Sequence, residues 1–190
     1  MTKIFIIHGA YGNPEENWFP WLKRALEEKG YQVVVPAFPT PENQSLDNWL
    51  AVFNQYFDDL DENTIFVGHS LGPAFILSTL QQINVRIKAS FFVAGFVGLL
   101  NDDLDKINYT FTDRTFDWKK IKQNCQEFFV INSTNDPYIP INKAKELANL
   151  LDAKLEIVDG AGHFNAKAGY LKFPELFNQI KTVLDRTVRN

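Results

Sequence analysis

Three residue types in this chain could together turn a serine hydroxyl into a nucleophile. Ser70 stands in Gly68-His69-Ser70-Leu71-Gly72, a G-x-S-x-G. A hydroxyl is a weak nucleophile at neutral pH and needs a base to take its proton. His163, in a Gly-Ala-Gly-His turn, can be that base, because imidazole titrates near pH 6.5 when unperturbed. Asp136, in Ser133-Thr134-Asn135-Asp136-Pro137, can hold the imidazole in one tautomer and stabilise its charged form. The chemistry implied is acyl transfer, whose tetrahedral oxyanion needs two preorganised N–H donors. One is expected from the backbone of Leu71. The other is expected from His8-Gly9-Ala10-Tyr11-Gly12, with Ala10 preferred over Tyr11.

Each member also has a plainer reading. A bare G-x-S-x-G is common in loops. Asp136 before Pro137 could begin a turn, and His163 could be a surface histidine. What favours chemistry is that the three arrive in the order Ser70, Asp136, His163, each just past an expected strand. Asp102, Asp103, Asp113 and Asp117 are rival acids, but none directly follows a strand. His69 precedes the nucleophile, so it is expected to point away from it and pack beneath the turn. His8 is expected to stabilise its loop. Cys125 reads as a structural thiol, and the histidines and single cysteine lack metal-ligand spacing, so neither metal nor cofactor is expected.

The positioning elements follow from hydropathy. Thr64 to Val67 is a β-branched and aromatic run that reads as a buried strand, and Ala74, Ile76, Leu77 and Leu80 continue as a helix. Strand, sharp turn and helix form a nucleophile elbow. Gly68 and Gly72 are expected where a Cβ would collide with a neighbouring element. Further strands are expected at Lys3–Ile7, Gln32–Val35, Ile87–Val93, Glu127–Asn132 and Lys154–Val158. Helices are expected over Asn13–Lys29, from an N-cap at Ser45, around Trp118–Asn124, over Lys143–Leu151 and over Tyr170–Val188. Phe96 to Trp118 reads as a largely irregular crossover. The alternation predicts one α/β domain over residues 1–190, with a mainly parallel six-stranded sheet and helices on both faces. In such a sheet the loops after the strands gather at one edge, which lets His163 reach Ser70.

Composition narrows the partners. The 190 residues carry a formal net charge of -4, so no basic surface argues for nucleic acid. The apolar run Ile4–Ile7 is too short for a signal-peptide core or a membrane span, and a cytoplasmic setting is expected.

His8-Gly9, Gly68 to Gly72, Ser133 to Pro140 and Gly162-His163-Phe164 together resemble the small serine hydrolases related to retinoblastoma-binding protein 9, compact bacterial members included. Tyr109 to Thr112 and Trp118 to Cys125 resemble the same group, so the likeness spans nearly the whole chain. It implies a compact α/β-hydrolase core without the usual first antiparallel strands, with Ser70, Asp136 and His163 as the triad. The likeness implies serine hydrolysis and gives a reaction type better than a substrate; a small ester is expected because the short crossover would cover long chains poorly, the same triad also suits amide, peptide or thioester cleavage, and a relic triad in an interaction module is the alternative from another class. Tyr56 to Glu62 lacks the L-x-C-x-E segment that binds the retinoblastoma protein, so that partner is not implied. Phe96 to Trp118 is too short for a sizeable lid domain, and a shallow, mostly open mouth rimmed by aromatics is expected.

Overall fold

The protein is described by a computed structural model covering residues 2–186. Six strands form one sheet: β1 Lys3–Ile7, β2 Gln32–Val34, β3 Ile65–His69, β4 Ile87–Val93, β5 Cys125–Ser133 and β6 Lys154–Val158. Their spatial order is β2-β1-β3-β4-β5-β6, and every neighbouring pair is parallel. Seven helices connect them: α1 Phe19–Glu27, α2 Leu46–Phe53, α3 Gly72–Leu80, α4 Asp105–Thr112, α5 Trp118–Gln123, α6 Ile141–Leu151 and α7 Pro174–Asp185.

The central strands are apolar at nearly every position because both faces are covered. Ile4, Ile6, Ile65, Val67, Phe91 and Val93 pack on one face beneath Phe19, Leu22 and Leu26 of α1 and Leu176 and Ile180 of α7. Phe5, Ile7, Phe66, Phe92 and Val130 pack on the other face, beneath α2, α3 and α6. Helix α3 is buried at every residue, which explains why its apolar pattern runs around the whole helix. The expected N-cap is present: Ser45 Oγ accepts Asn48 N–H at 3.2 Å.

Four expectations need correction. The crossover after β4 is not largely irregular, because α4 occupies Asp105–Thr112. The first helix starts at Phe19 rather than Asn13: Asn17 holds a left-handed φ of 52°, and Pro20 sits in the first turn, where its missing N–H costs nothing. The fifth strand begins at Cys125, two residues early. The closing helix begins at Pro174 rather than Tyr170, and its expected extension to Val188 lies outside the described residues. The chain leaves β1 toward β2 on one side and returns to β3 on the other. A crevice therefore opens past the carboxyl ends of β1 and β3, where sheets of this kind place ligands.

Candidate active site

The β3–α3 turn is tight enough to force Ser70 to a φ of 57°, a left-handed conformation that a non-glycine residue holds at a cost of roughly 1–3 kcal/mol. Ser70 N–H donates to Val93 O at 2.9 Å, fixing the turn to β4. The glycines have the anticipated reason. A Cβ on Gly72 would run into the carbonyl oxygen of Ile7 in β1, and one on Gly68 would lie 2.7 Å from the Pro73 nitrogen. Close passage of β1 and α3 around the turn is thus written into the two flanking positions.

The loop after β1 sits beside this turn. Tyr11 N–H is already donated to Thr40 Oγ1 at 2.7 Å. Ala10 N–H and Leu71 N–H have no acceptor among the described residues. His8 stabilises its loop as expected: Phe38 N–H donates to its Nε2 at 3.0 Å, so Nδ1 carries the proton given to Gly9 O at 2.8 Å. Burial lowers its pKa below the ordinary 6.5.

Asp136 has a fully buried side chain. Its Oδ1 accepts Tyr138 N–H at 2.9 Å and Ile139 N–H at 3.1 Å, the turn that its place before Pro137 suggested. Its Oδ2 lies 2.8 Å from His163 Nδ1. Turn-former and imidazole partner are therefore one residue, with one oxygen for each task. A carboxylate can only accept, so Nδ1 bears the proton and Nε2 is left with a free lone pair. Ser70 and His163 line the same cleft, with no direct hydrogen bond between them among the described residues; such bonds often form only with substrate present. The rival acids are engaged elsewhere. Asp102 accepts Leu104 N–H, Asp103 pairs with Lys106, Asp117 caps α5, and Asp113 is exposed.

The cleft encloses about 370 Å³. Its rim carries aromatics, and only one of them comes from the segment after β4. Phe96 does line it, but Phe111 and Phe116 are buried in the core, and Tyr11 and Tyr138 supply the remaining rings. The Tyr138 ring meets His163 edge-on, with centroids 4.9 Å apart. Among the described residues that line the cleft there is one carboxyl, Glu16, whose pKa is raised by burial, and no lysine or arginine. Such a wall offers an anionic ligand no lysine or arginine to pair with.

Sequence reasoning missed part of what holds the site. His69 is buried against Trp18 and Phe19, as expected, but its Nε2 also lies 2.8 Å from His163 O. Trp18 Nε1–H donates to Phe164 O at 3.0 Å, and Gly162 N–H donates to Asn135 Oδ1 at 2.8 Å. The signal available was an unexplained imidazole beside the nucleophile; its partner lies 94 positions away. Cys125 is the buried structural thiol expected of it, and burial pushes its pKa up to about 12.

Comparison with known proteins is consistent with this geometry. The serine hydrolase family model matches residues 4–182. YdeN of Bacillus subtilis (strain 168) is 33% identical over 192 residues, covering 100% of both chains. Serine hydrolase RBBP9 of Rattus norvegicus is 31% identical over 186 residues, covering 96% of each. The crystal structure of the B. subtilis ydeN gene product superposes with a TM-score of 0.92 at 31% identity, over 97% of this chain and 100% of that one.

Proposed function

Because the chain belongs to the serine hydrolase family, with the compact α/β-hydrolase fold, we propose that it cleaves small, uncharged carboxylic esters through an acyl-enzyme on Ser70. In this reading Ser70 Oγ attacks the ester carbonyl while His163 Nε2 takes the hydroxyl proton. The buried Asp136 carboxylate holds Nδ1–H and stabilises the imidazolium that forms. The oxyanion accepts hydrogen bonds from Leu71 N–H and Ala10 N–H, the two donors left without acceptors at the mouth of the turn. Collapse of the intermediate expels the alcohol, which receives its proton from His163. A water molecule, deprotonated by the same nitrogen, then attacks the acyl-serine and releases the acid, and Ser70 regains its proton. No cofactor enters this scheme.

The observation that carries the reading is the 2.8 Å contact between Asp136 and His163, at the edge of the cleft that holds Ser70. A small ester is favoured because the cleft volume suits a compact molecule and the segment after β4 adds only α4 to its wall. Neutral substrates are favoured because no lysine or arginine among the described residues lines the cleft. We place the reaction in the cytoplasm, in keeping with a lone free cysteine, and among the described residues no helix is long and apolar enough to cross a membrane.

The test is a panel of short-chain esters, thioesters and aminoacyl amides, assayed with wild type and Ser70→Ala, alongside labelling by a fluorophosphonate. Ser70→Ala is expected to fold normally, lose labelling and lose most turnover. Equal turnover by a verified Ser70→Ala preparation would overturn the mechanism. Faster hydrolysis of the amides than of the esters would overturn the substrate assignment alone. A folded wild type that neither labels nor turns over would leave the interaction module as the better reading.

A further inference from the structure

The backbone that presents His163 is held in an unfavourable shape. Phe164, the next residue, has a φ of 50°, and Gly162, the one before, has a φ of 56°. A non-glycine residue persists in that region only where its surroundings over-determine it. Here the surroundings are buried donors. His69 Nε2 reaches the carbonyl oxygen of His163 itself, and Trp18 Nε1 reaches that of Phe164. A carbonyl only accepts, so His69 carries its proton on Nε2. Its ring is enclosed by Trp18 and Phe19, with the His163 ring 4.9 Å away, and no carboxylate among the described residues is bonded to it. Burial first, and the nearby His163 second, push its pKa down to about 3, so the donor stays neutral at ordinary pH.

The other end of this contact is what gives it meaning. His69 is the residue before Ser70, and Ser70 N–H is bonded to β4. The route from nucleophile to base therefore crosses one peptide bond, one imidazole and one hydrogen bond. From this we infer that His69 is a positioning residue: its Nε2–H sets the place of His163 relative to Ser70, and the Trp18 indole acts as a second strut on the same loop. The inference rests on the reading of Ser70 and His163 as nucleophile and base. It goes beyond packing, because a ring filling space under the turn would need no donor aimed at that carbonyl.

The experiment compares His69→Leu, which fills the space without a donor, with His69→Gln, whose amide offers an N–H at similar reach. Trp18→Phe keeps a ring and removes the indole donor. Turnover of 4-nitrophenyl acetate, the rate of fluorophosphonate labelling and the Tm are measured for each. A displacement of about 1 Å at a reacting group can cost about 100-fold. His69→Leu is therefore expected to lower kcat by about 10- to 100-fold with KM nearly unchanged, and to slow labelling comparably. His69→Gln is expected to recover most of both. Trp18→Phe is expected to lower kcat less, and non-additively with His69→Leu. Wild-type kcat in folded His69→Leu would overturn the inference. So would a His69→Gln enzyme as slow as His69→Leu at equal Tm, since packing alone would then explain the loss. Should His69→Leu fail to fold, Trp18→Phe decides, and wild-type kcat there would overturn the inference. Ser70→Ala and His163→Ala run beside these. Turnover surviving in His163→Ala sinks the triad reading itself; turnover lost there but intact in His69→Leu sinks only the positioning role.

Discussion

The buried imidazole of His69 ought to limit how acidic a solution the fold tolerates. An unfolded chain protonates this histidine near its ordinary value of 6.5, whereas the folded protein resists until about pH 3. Between those values the unfolded state binds the extra proton. Stability is thus full above pH 6.5 and is lost as pH falls toward 3. The gap of 3.5 units (6.5 minus 3), at about 1.36 kcal/mol per unit, sets a ceiling of roughly 5 kcal/mol. At pH 4 about 3 kcal/mol of it would already be gone. A domain of this size has a total stability of about 5–15 kcal/mol, so this one ring is large enough to govern acid unfolding. Buried His8 acts in the same direction, and half-buried Glu16, whose pKa is raised, acts against it. Substitution isolates the His69 share, because glutamine takes no proton. Urea unfolding of wild type and His69→Gln at pH 7 and pH 4 gives four free energies. Wild type is expected to lose about 3 kcal/mol more than the variant between the two pH values. Any pH-independent cost of the substitution cancels in that difference. Equal losses, within about 1 kcal/mol, would refute the argument that burial keeps this ring neutral.

Two further outcomes are expected. Asp136→Asn keeps an oxygen for the Tyr138 and Ile139 amides but turns an N–H toward His163 Nδ1, favouring the tautomer with its proton on Nε2; kcat should fall by about 10³- to 10⁴-fold with little change in Tm, and a near-wild-type kcat would move the acid elsewhere. Cys125, with its pKa pushed up to about 12, should resist iodoacetamide at pH 8 in the native protein and react only in denaturant; stoichiometric labelling of the folded chain would contradict its burial.

The central strands were legible because they are covered on both faces and so read as nearly unbroken apolar runs; β1 and β4 fall on the expected residues. Helix α4 was not legible, for a physical reason. Of its eight residues only Ile107, Tyr109 and Phe111 are apolar or aromatic, and Tyr109 is exposed. The segment is fastened instead by polar contacts. Gln44 Nε2 donates to Asn108 Oδ1 at 2.8 Å and to Ile107 O at 2.9 Å, while Leu46 N–H donates to Thr110 Oγ1 at 3.0 Å. Each partner lies more than sixty positions away, and hydrophobic periodicity carries no trace of such bonds.

The same distinction separates what was legible in the site from what was not. Ser70, Asp136 and His163 each follow a parallel strand, and parallel strands deliver their following loops to one edge, so their meeting could be argued from chain order alone. Ala10 and Leu71 come together for a related reason: β1 and β3 are neighbours in register, with Ile7 beside Gly68, so the loops beyond them start side by side. Topology, however, delivers loops only to within several ångströms, while proton transfer needs the imidazole within hydrogen-bond reach of the hydroxyl. That last adjustment falls to groups such as His69, Trp18 and Asn135, which touch backbone rather than substrate. Their types are unremarkable in sequence because any well-placed donor or acceptor could serve. Their placement is visible only once the strained turn at Phe164 and the carbonyls it turns inward are seen together.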